Sequence, residues 1–301
     1  MRPRLYLVDA SIYVFRSWHV LPDSIVDAAG EPANAIYGFG DFLLRLLEHT
    51  RPSHLAIAFD VSLESSQRNE IYPEYKANRE PAPEKLRRQF GGCRSLARAA
   101  GLAEFASPHC EADDIIATLA GRAREAGFAV TIVSGDKDLA QLVGDGDEWW
   151  DFARDRRLDR RGIERHFGVR PEQIADMLAL AGDAVDNIPG VPGIGRATAA
   201  RLLRRWEDLD TLYANLDGVA DMKFRGAKRI AGLLAEHEAL VRLSRRLTAM
   251  YPADGLPDTP AALRWPGGDA AALASTFDRL GFGQLRRRRW LEALAAAQAP
   301  A

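Results

Sequence analysis

At 301 residues the chain can bury one large core, though two lobes suit its length better. A formal net charge of −2 excludes a whole-molecule field that would select a polyanion. Two cysteines without a CxxC pair, Cys93 and Cys110, exclude a disulfide scaffold and fit a reduced cytoplasmic protein. The apolar run at 5–8 is too short for a signal peptide or a membrane span, so no membrane partner is expected. No internal repeat of fixed period is evident.

Residues 5–9 read as a buried strand ending in Asp9, followed by a helical stretch from Ser11. Residues 35–49 form an amphipathic pattern with Phe39, Phe42, Leu43, Leu46 and Leu47 at core spacing. Residues 54–60 repeat the first unit, an apolar strand ending in Asp60. Residues 61–95 then break the alternation. Arg68, Lys76, Arg79, Lys85, Arg87 and Arg88 interleave with Tyr72, Tyr75 and Phe90, a mixture that suits single-stranded nucleic acid and equally a solvated helix face. Its place directly after Asp60 favours an insertion at the mouth of a site.

The stretch EADD at 111–114 opens a helix whose buried face is Ile115, Ile116 and Leu119. A β-branched run at 130–133 reads as a strand, followed by GDKD at 135–138 with Asp136 and Asp138. Acids at a helix start and at carboxyl ends of strands meet at one edge of a parallel sheet, where open α/β folds keep their sites. Two like charges 4 Å apart cost about 4 kcal/mol at an effective dielectric near 20, and a domain's whole stability is about 5–15 kcal/mol. Converging carboxylates therefore call for divalent cations, and hard oxygen donors point to magnesium or manganese. Alternatively, Glu111 and Asp113 merely complement the helix N-terminus. At about 100° per residue Glu111 and Asp114 share a face while Asp113 points away. Either Glu111 sits on the entering turn or the three acids are shared between two ions.

Residues 148–152 suggest another strand, and helices are expected at 163–167 and from Pro171 onward. Asp183 and Asp186 would share a face if the second helix continues through them. The segment 189–197 then turns through Gly190, Gly193 and Gly195 into an apolar helix carrying Arg196 and Arg201. Such a turn exposes backbone N–H groups at a helix start and reads as a helix-hairpin-helix that grips a DNA backbone without reading bases. Lys223, Arg225, Lys228 and Arg229 extend that surface or form a solvated face. The arginines at 286–289 read as a solvated terminal helix, and residues 295–301 as a frayed end.

In order, VDAS at 8–11, FD at 59–60, YPEYKANR at 72–79, EADD, GDKD and LAGDAVDNIPGVPGIG at 180–195 resemble the structure-specific 5′-nucleases. This is the flap endonuclease or 5′→3′ exonuclease family, which includes the nuclease domain of bacterial DNA polymerase I and stand-alone bacterial members. The resemblance implies an α/β, PIN-like nuclease core with a mostly parallel sheet over residues 1–168, carrying a helical-arch insertion at about 61–95. A helical lobe over 169–301 would hold the hairpin at about 180–206.

It further implies a two-metal phosphodiesterase using Mg2+, with Mn2+ able to substitute. Asp9, Asp60, Glu111 and Asp113 match ligands of one ion; Asp114, Asp136, Asp138, Asp183 and Asp186 match those serving the other. Lys76, Arg79 and Arg68 match basic residues near the scissile phosphate, and Tyr75 matches an arch tyrosine. A potassium ion on backbone carbonyls at 187–196, a monomer, and DNA with 5′ flaps, nicks or ends as substrate complete the expectation. Two rivals remain open: a catalytically silent DNA-binding scaffold and an RNA-directed PIN-like nuclease.

Overall fold

The computed structural model describes residues 2–61 and 66–298; residue 1, residues 62–65 of the expected arch and residues 299–301 of the expected frayed end lie outside the described residues. Six strands, β1 (Arg4–Asp9), β2 (His54–Asp60), β3 (Ala103–Ser107), β4 (Ala129–Val133), β5 (Glu148–Asp151) and β6 (Arg156–Leu158), form one sheet. Their order is β3-β2-β1-β4-β5-β6. All neighbours are parallel except β5 and β6. Helices α1 (Ala10–Val20), α2 (Asn34–Thr50), α3 (Gln67–Ile71), α4 (Glu84–Ala99) and α5 (Ala112–Glu125) fall between the strands. After the sheet come α6 (Arg160–Phe167), α7 (Ile174–Ala181), α8 (Arg196–Leu203), α9 (Leu209–Tyr213), α10 (Leu216–Ala220), α11 (Ala227–Glu236) and α12 (Glu238–Leu247). The helices α13 (Ala270–Leu280) and α14 (Gln284–Gln298) follow.

The central strands are apolar throughout because helices cover both faces of the sheet. Leu5 and Leu7 pack with Ile115, Leu119 and the helices after residue 169, while Val8 packs with α1, α2 and α4. One continuous core therefore joins the sheet to Met177, Leu202 and Leu234 across the boundary expected at residue 168. The chain runs from β1 outward through β2 and β3, then returns to β4 on the other side of β1. The crevice outside the carboxyl ends of β1 and β4 is thus the topological switch point.

Two strands escaped the sequence reading. The edge strand β3 is half-buried along its length, and β6 is only three residues long. The expected arch also ends earlier than residue 95. Leu86, Gln89, Cys93, Leu96 and Ala97 of α4 are buried, and Gln89 Oε1 accepts the Ala35 N–H at 2.7 Å, capping α2. The C-terminal arginines are docked, not merely solvated. Arg286 pairs bidentately with Asp41 at 2.8 and 2.9 Å, and Arg289 reaches Glu48.

The helix α7 stops at Ala181, so Asp183 and Asp186 do not share a helical face. Gly182 has φ +74°, and Asp183 pairs with Ile188 across a tight loop through two backbone hydrogen bonds. Gly190, at φ +59°, crosses that loop so closely that a Cβ would lie 2.1 Å from the Gly182 nitrogen. Backbone meets backbone there, so neither side can yield. We expect Gly190→Ala to lower the unfolding free energy by about 3–5 kcal/mol. By contrast Gly195 has open space and an ordinary φ of −93°, and Gly195→Ala should stay within about 1 kcal/mol. Urea denaturation of the two variants checks the contrast.

Candidate active site

Three adjacent parallel strands deliver the first acids. Asp9 and Asp60 end β1 and β2, and Asp136 follows β4 by three residues. Ser134 ties two of them together: its Oγ donates to Asp9 Oδ2 at 2.8 Å and accepts the Asp136 N–H at 2.9 Å. Asp60 Oδ1 accepts the Ala112 N–H at the start of α5 at 2.9 Å. Ser134 was not singled out in the sequence, although a serine two residues before an aspartate at a strand end is a recognisable local turn former.

Glu111 is the N-cap of α5, with extended backbone, so it does sit on the entering turn. This separates the trio. Asp113 faces Asp136 and Asp9, and burial together with those charges raises its carboxyl well above the usual range. Asp114 faces the other way. Its oxygens take both ends of the Arg68 guanidinium at 2.8 Å and the Tyr251 N–H at 2.9 Å. Burial and the neighbouring Asp60 charge push Asp9 up to about 7. Burial and Asp136 push Asp138 up to about 7 as well. Asp136 is raised by burial, with Asp186 adding to the effect. Asp183 and Asp186 approach from the loop after α7 and add to the field at Asp138.

Cations rim this basin. Lys76 Nζ lies 2.7 Å from Glu111 and 3.9 Å from Asp186. Arg79 pairs with Asp186. Lys137, which the sequence reading passed over, donates to Asp183 at 2.6 Å. Burial disfavours the charged forms of Lys76 and Glu111, but each holds the other ionised: Lys76 is raised well above its usual value and Glu111 is lowered. Lys76 has φ +57°, a left-handed conformation rare outside glycine. It is held by its own N–H donating to the Asp186 carbonyl at 3.0 Å. Asn78 donates to the Ala184 carbonyl and Asn187 to the Glu74 carbonyl, so the two loops are laced together. Backbone strain of this kind concentrates at functional sites.

Two expected residues lie beneath the basin and not on its open side, with Arg68 3.7 Å from Glu111. Arg68 is 3% exposed, and besides Asp114 it donates to the Leu247 and Ala249 carbonyls. Its donors are thus spent inside the protein, and it does not reach the basin's open side. Tyr75 is buried beneath the acids, its hydroxyl 3.3 Å from both Glu111 and Asp186. Phe90 packs edge-on against Phe15, so Tyr75 and Phe90 are not free to form the stacking platform that their interleaving with cations suggested.

The donor set fits hard divalent cations. It consists of carboxylate oxygens only, several with raised pKa values, and Asp138 Oδ1 is buried without a hydrogen bond, with only the Lys137 ammonium 3.4 Å away. Among the described residues no three His, Cys, Asp or Glu side chains are gathered closely enough to hold an ion as they stand. Lys76, Lys137 and Arg79 supply the counter-charge in this arrangement.

The raised carboxyls carry a stability consequence. Asp9 and Asp138 ionise more readily in the unfolded chain, so their charging opposes folding. That penalty grows as pH rises above the usual carboxylate range near 4 and is complete above about 7. In EDTA the unfolding free energy from urea denaturation should fall from pH 5 to pH 8 by an amount on the order of a few kcal/mol, and Mg2+ should remove most of that fall. A flat profile in EDTA would contradict the crowding.

The hairpin lies beside this basin. Val191 and Ile194 are buried, whereas Gly193, Gly195, Arg196 and Arg201 face solvent. The Arg229 guanidinium nitrogens lie 3.4 Å from where a Gly193 Cβ would stand, adding a cation at the turn.

Comparison with known proteins agrees with this geometry. Residues 4–168 match the model of the 5′-3′ exonuclease N-terminal resolvase-like domain, and residues 169–270 that of the 5′-3′ exonuclease C-terminal SAM fold. DNA polymerase I of Rhizobium leguminosarum is 42% identical over 82% of this chain and 24% of its own length. DNA polymerase I of Mycobacterium tuberculosis is 36% identical over 99% of this chain and 33% of its own length. The chain thus spans a third or less of these curated relatives. Among solved structures, T5 5′-exonuclease with divalent zinc ions bound is similar at a TM-score of 0.64 and 21% identity, over 98% of this chain and 99% of that one. The catalytic core of Rad2 with a DNA substrate is similar at a TM-score of 0.65 and 16% identity, over 97% of this chain and 92% of that one. These two likenesses are of fold. No helix among the described residues is long and apolar enough to cross a membrane. By the two models that divide residues 4–270 between them, the chain belongs to the 5′-3′ exonuclease family.

Proposed function

We propose that the chain is a divalent-metal-dependent 5′→3′ exonuclease and 5′-flap endonuclease that hydrolyses DNA phosphodiesters, leaving 5′-phosphate and 3′-hydroxyl ends, in replication or repair. The observation that carries this reading is the acid basin at the switch point, with Lys76 and Arg79 on its rim. Asp9, Asp60, Glu111, Asp113, Asp136 and Asp138 would hold the ions, with Asp183 and Asp186 closing the far side. Asp114 is better read as the support that orients the start of α5 through Arg68. Mg2+, with Mn2+ as substitute, would supply Lewis-acid charge for the attacking water and the leaving 3′-oxygen.

The chain's own residues do the rest. Lys76 and Arg79 bind the scissile phosphate and offset charge as it builds on the phosphoryl oxygens. Tyr75, through its hydroxyl, keeps Glu111 and Asp186 apart and oriented. No histidine is required as a general base. The hairpin, with Gly190, Gly193, Gly195, Arg196 and Arg201, would hold the duplex backbone through N–H groups and guanidinium charge, with a potassium ion on carbonyls within 187–196. Binding would be independent of sequence, by a monomer in the cytoplasm.

The deciding assay is a labelled 5′-flap duplex with Mg2+, beside matched RNA and an EDTA control. Flap cleavage that needs Mg2+ supports the proposal. Binding without products would favour a silent scaffold, and preferential RNA cleavage a PIN-like ribonuclease. Lys76→Ala should lower single-turnover cleavage by about 10²-fold or more, as loss of a transition-state donor does, with little change in Kd. A deficit wholly in affinity would make Lys76 a backbone clamp.

A further inference from the structure

Away from the acid basin, Arg161 and Arg165 of α6 and Arg204 at the end of α8 line a groove of about 430 Å³, together with Glu164 and Gly168. Arg161 and Arg165 are four apart and share a helix face. All three arginines are exposed, and among the described residues none has an acid partner or a side-chain hydrogen bond. Other arginines nearby or at the C-terminus are tied up instead. Arg160 and Arg170 both pair with Glu172, and Arg286, Arg287 and Arg289 each pair with an acid of their surroundings. In a chain whose formal net charge is −2, three unneutralised guanidiniums against one carboxylate form a local positive seat.

Gly168, at φ +78°, closes α6, and a Cβ there would lie 3.6 Å from the Ala200 Cβ of α8. The lining contains no aromatic ring to stack an unpaired base, so its chemistry suits phosphates and not nucleobases. Guanidiniums also match phosphate oxygens in a forked geometry that ammonium groups cannot reproduce. The helix α8 links this seat to the hairpin: it starts after Gly195 and ends at Arg204, a span of about 12 Å. Phosphates on one strand advance about 3.4 Å along the duplex axis per nucleotide, so the two places stand roughly three to four nucleotides apart.

We propose that the groove between α6 and α8 is a second seat for the phosphate backbone, holding the duplex arm that continues beyond the hairpin. This rests on the DNA-directed reading above, and it assigns Arg161, Arg165 and Arg204 to duplex binding without any part in the chemistry.

The test is fluorescence anisotropy in EDTA, at several KCl concentrations, on flap substrates with a short and a long duplex arm. It compares the wild-type chain with the triple variant Arg161→Gln, Arg165→Gln, Arg204→Gln. Every phosphate that the variant no longer neutralises should reduce the slope of log K against log salt by about 0.9. The slope should therefore fall by about two to three on the long arm and change little on the short one. Single-turnover cleavage at saturating enzyme should be unchanged. A slope equal to wild type on the long arm, or an equal fall on both arms, overturns the proposal; the first result would leave the groove to an acidic protein partner. If the wild-type chain binds neither duplex, the DNA-directed reading falls with it, so the two failures are distinguishable. A variant replacing the exposed Lys85 and Arg87 should show no arm-length effect.

Discussion

Arg68→Met should lower the unfolding free energy by about 3–5 kcal/mol, the cost of stranding one member of a buried ion pair. Arg68 and Asp114 are 3% and 2% exposed, joined by two hydrogen bonds of 2.8 Å. The guanidinium also crosslinks α3 to the end of α12 and the chain just after it, through the carbonyls of Leu247 and Ala249. Without it, the Asp114 carboxylate is left in a low-dielectric interior with only backbone N–H groups. Replacing both residues, Arg68→Met with Asp114→Leu, should recover part of the loss. Recovery is incomplete because the Tyr251 and Glu111 N–H groups then lack their acceptor, at about 1–3 kcal/mol each. Urea denaturation measures both variants. If Arg68→Met keeps full stability and loses only cleavage, Arg68 acts at the phosphate, as its motif position implied.

The second large effect has opposite signs on stability and activity. Asp136→Asn should reduce cleavage by about 10³-fold or more, since the divalent charge it helps to hold contributes several kcal/mol to the transition state. The same change should stabilise the EDTA-treated protein, because burial and neighbouring acids already disfavour the Asp136 charge. Its Oδ1 accepts the Asp138 N–H at 2.9 Å, a bond that asparagine can keep. Asp183→Asn should be as inactive but not stabilised, because it weakens the 2.6 Å contact with Lys137. DNA binding should be largely intact in both. Undiminished turnover in the two purified variants would remove these carboxylates from the metal assignment. Local crowding that opposes folding while serving chemistry is the familiar trade between stability and activity.

The acids at the strand ends were legible because β1, β2 and β4 are central, parallel and largely apolar: β1 and β2 end in an aspartate, and Asp136 follows β4 by three residues. The hairpin was legible for the same local reason, its turn being written in glycines. What was not legible depended on distant partners. Whether Asp113 or Asp114 faces the basin turns on the extended backbone at Glu111, which spacing alone leaves open. Burial of Arg68 depends on carbonyls roughly 180 residues away, beyond any local pattern. The strand β3 carries few β-branched residues and lies at an edge, and β6 is too short to show alternation. In α4 the core positions Leu86, Gln89, Cys93 and Leu96 do recur at helical spacing. There the helical stripe is interleaved with Lys85, Arg87, Arg88 and Arg94, which mask it as a solvated face.

The central claim is that Asp9, Asp60, Asp113 and Asp136 converge to hold divalent cations at the switch point. Anomalous scattering from crystals of this chain grown with Mn2+ tests it directly. Manganese peaks are expected within the basin, bounded by those carboxylates and by Glu111 and Asp138. Ordered carboxylates with no peak among them, or peaks only at the protein surface, would contradict it.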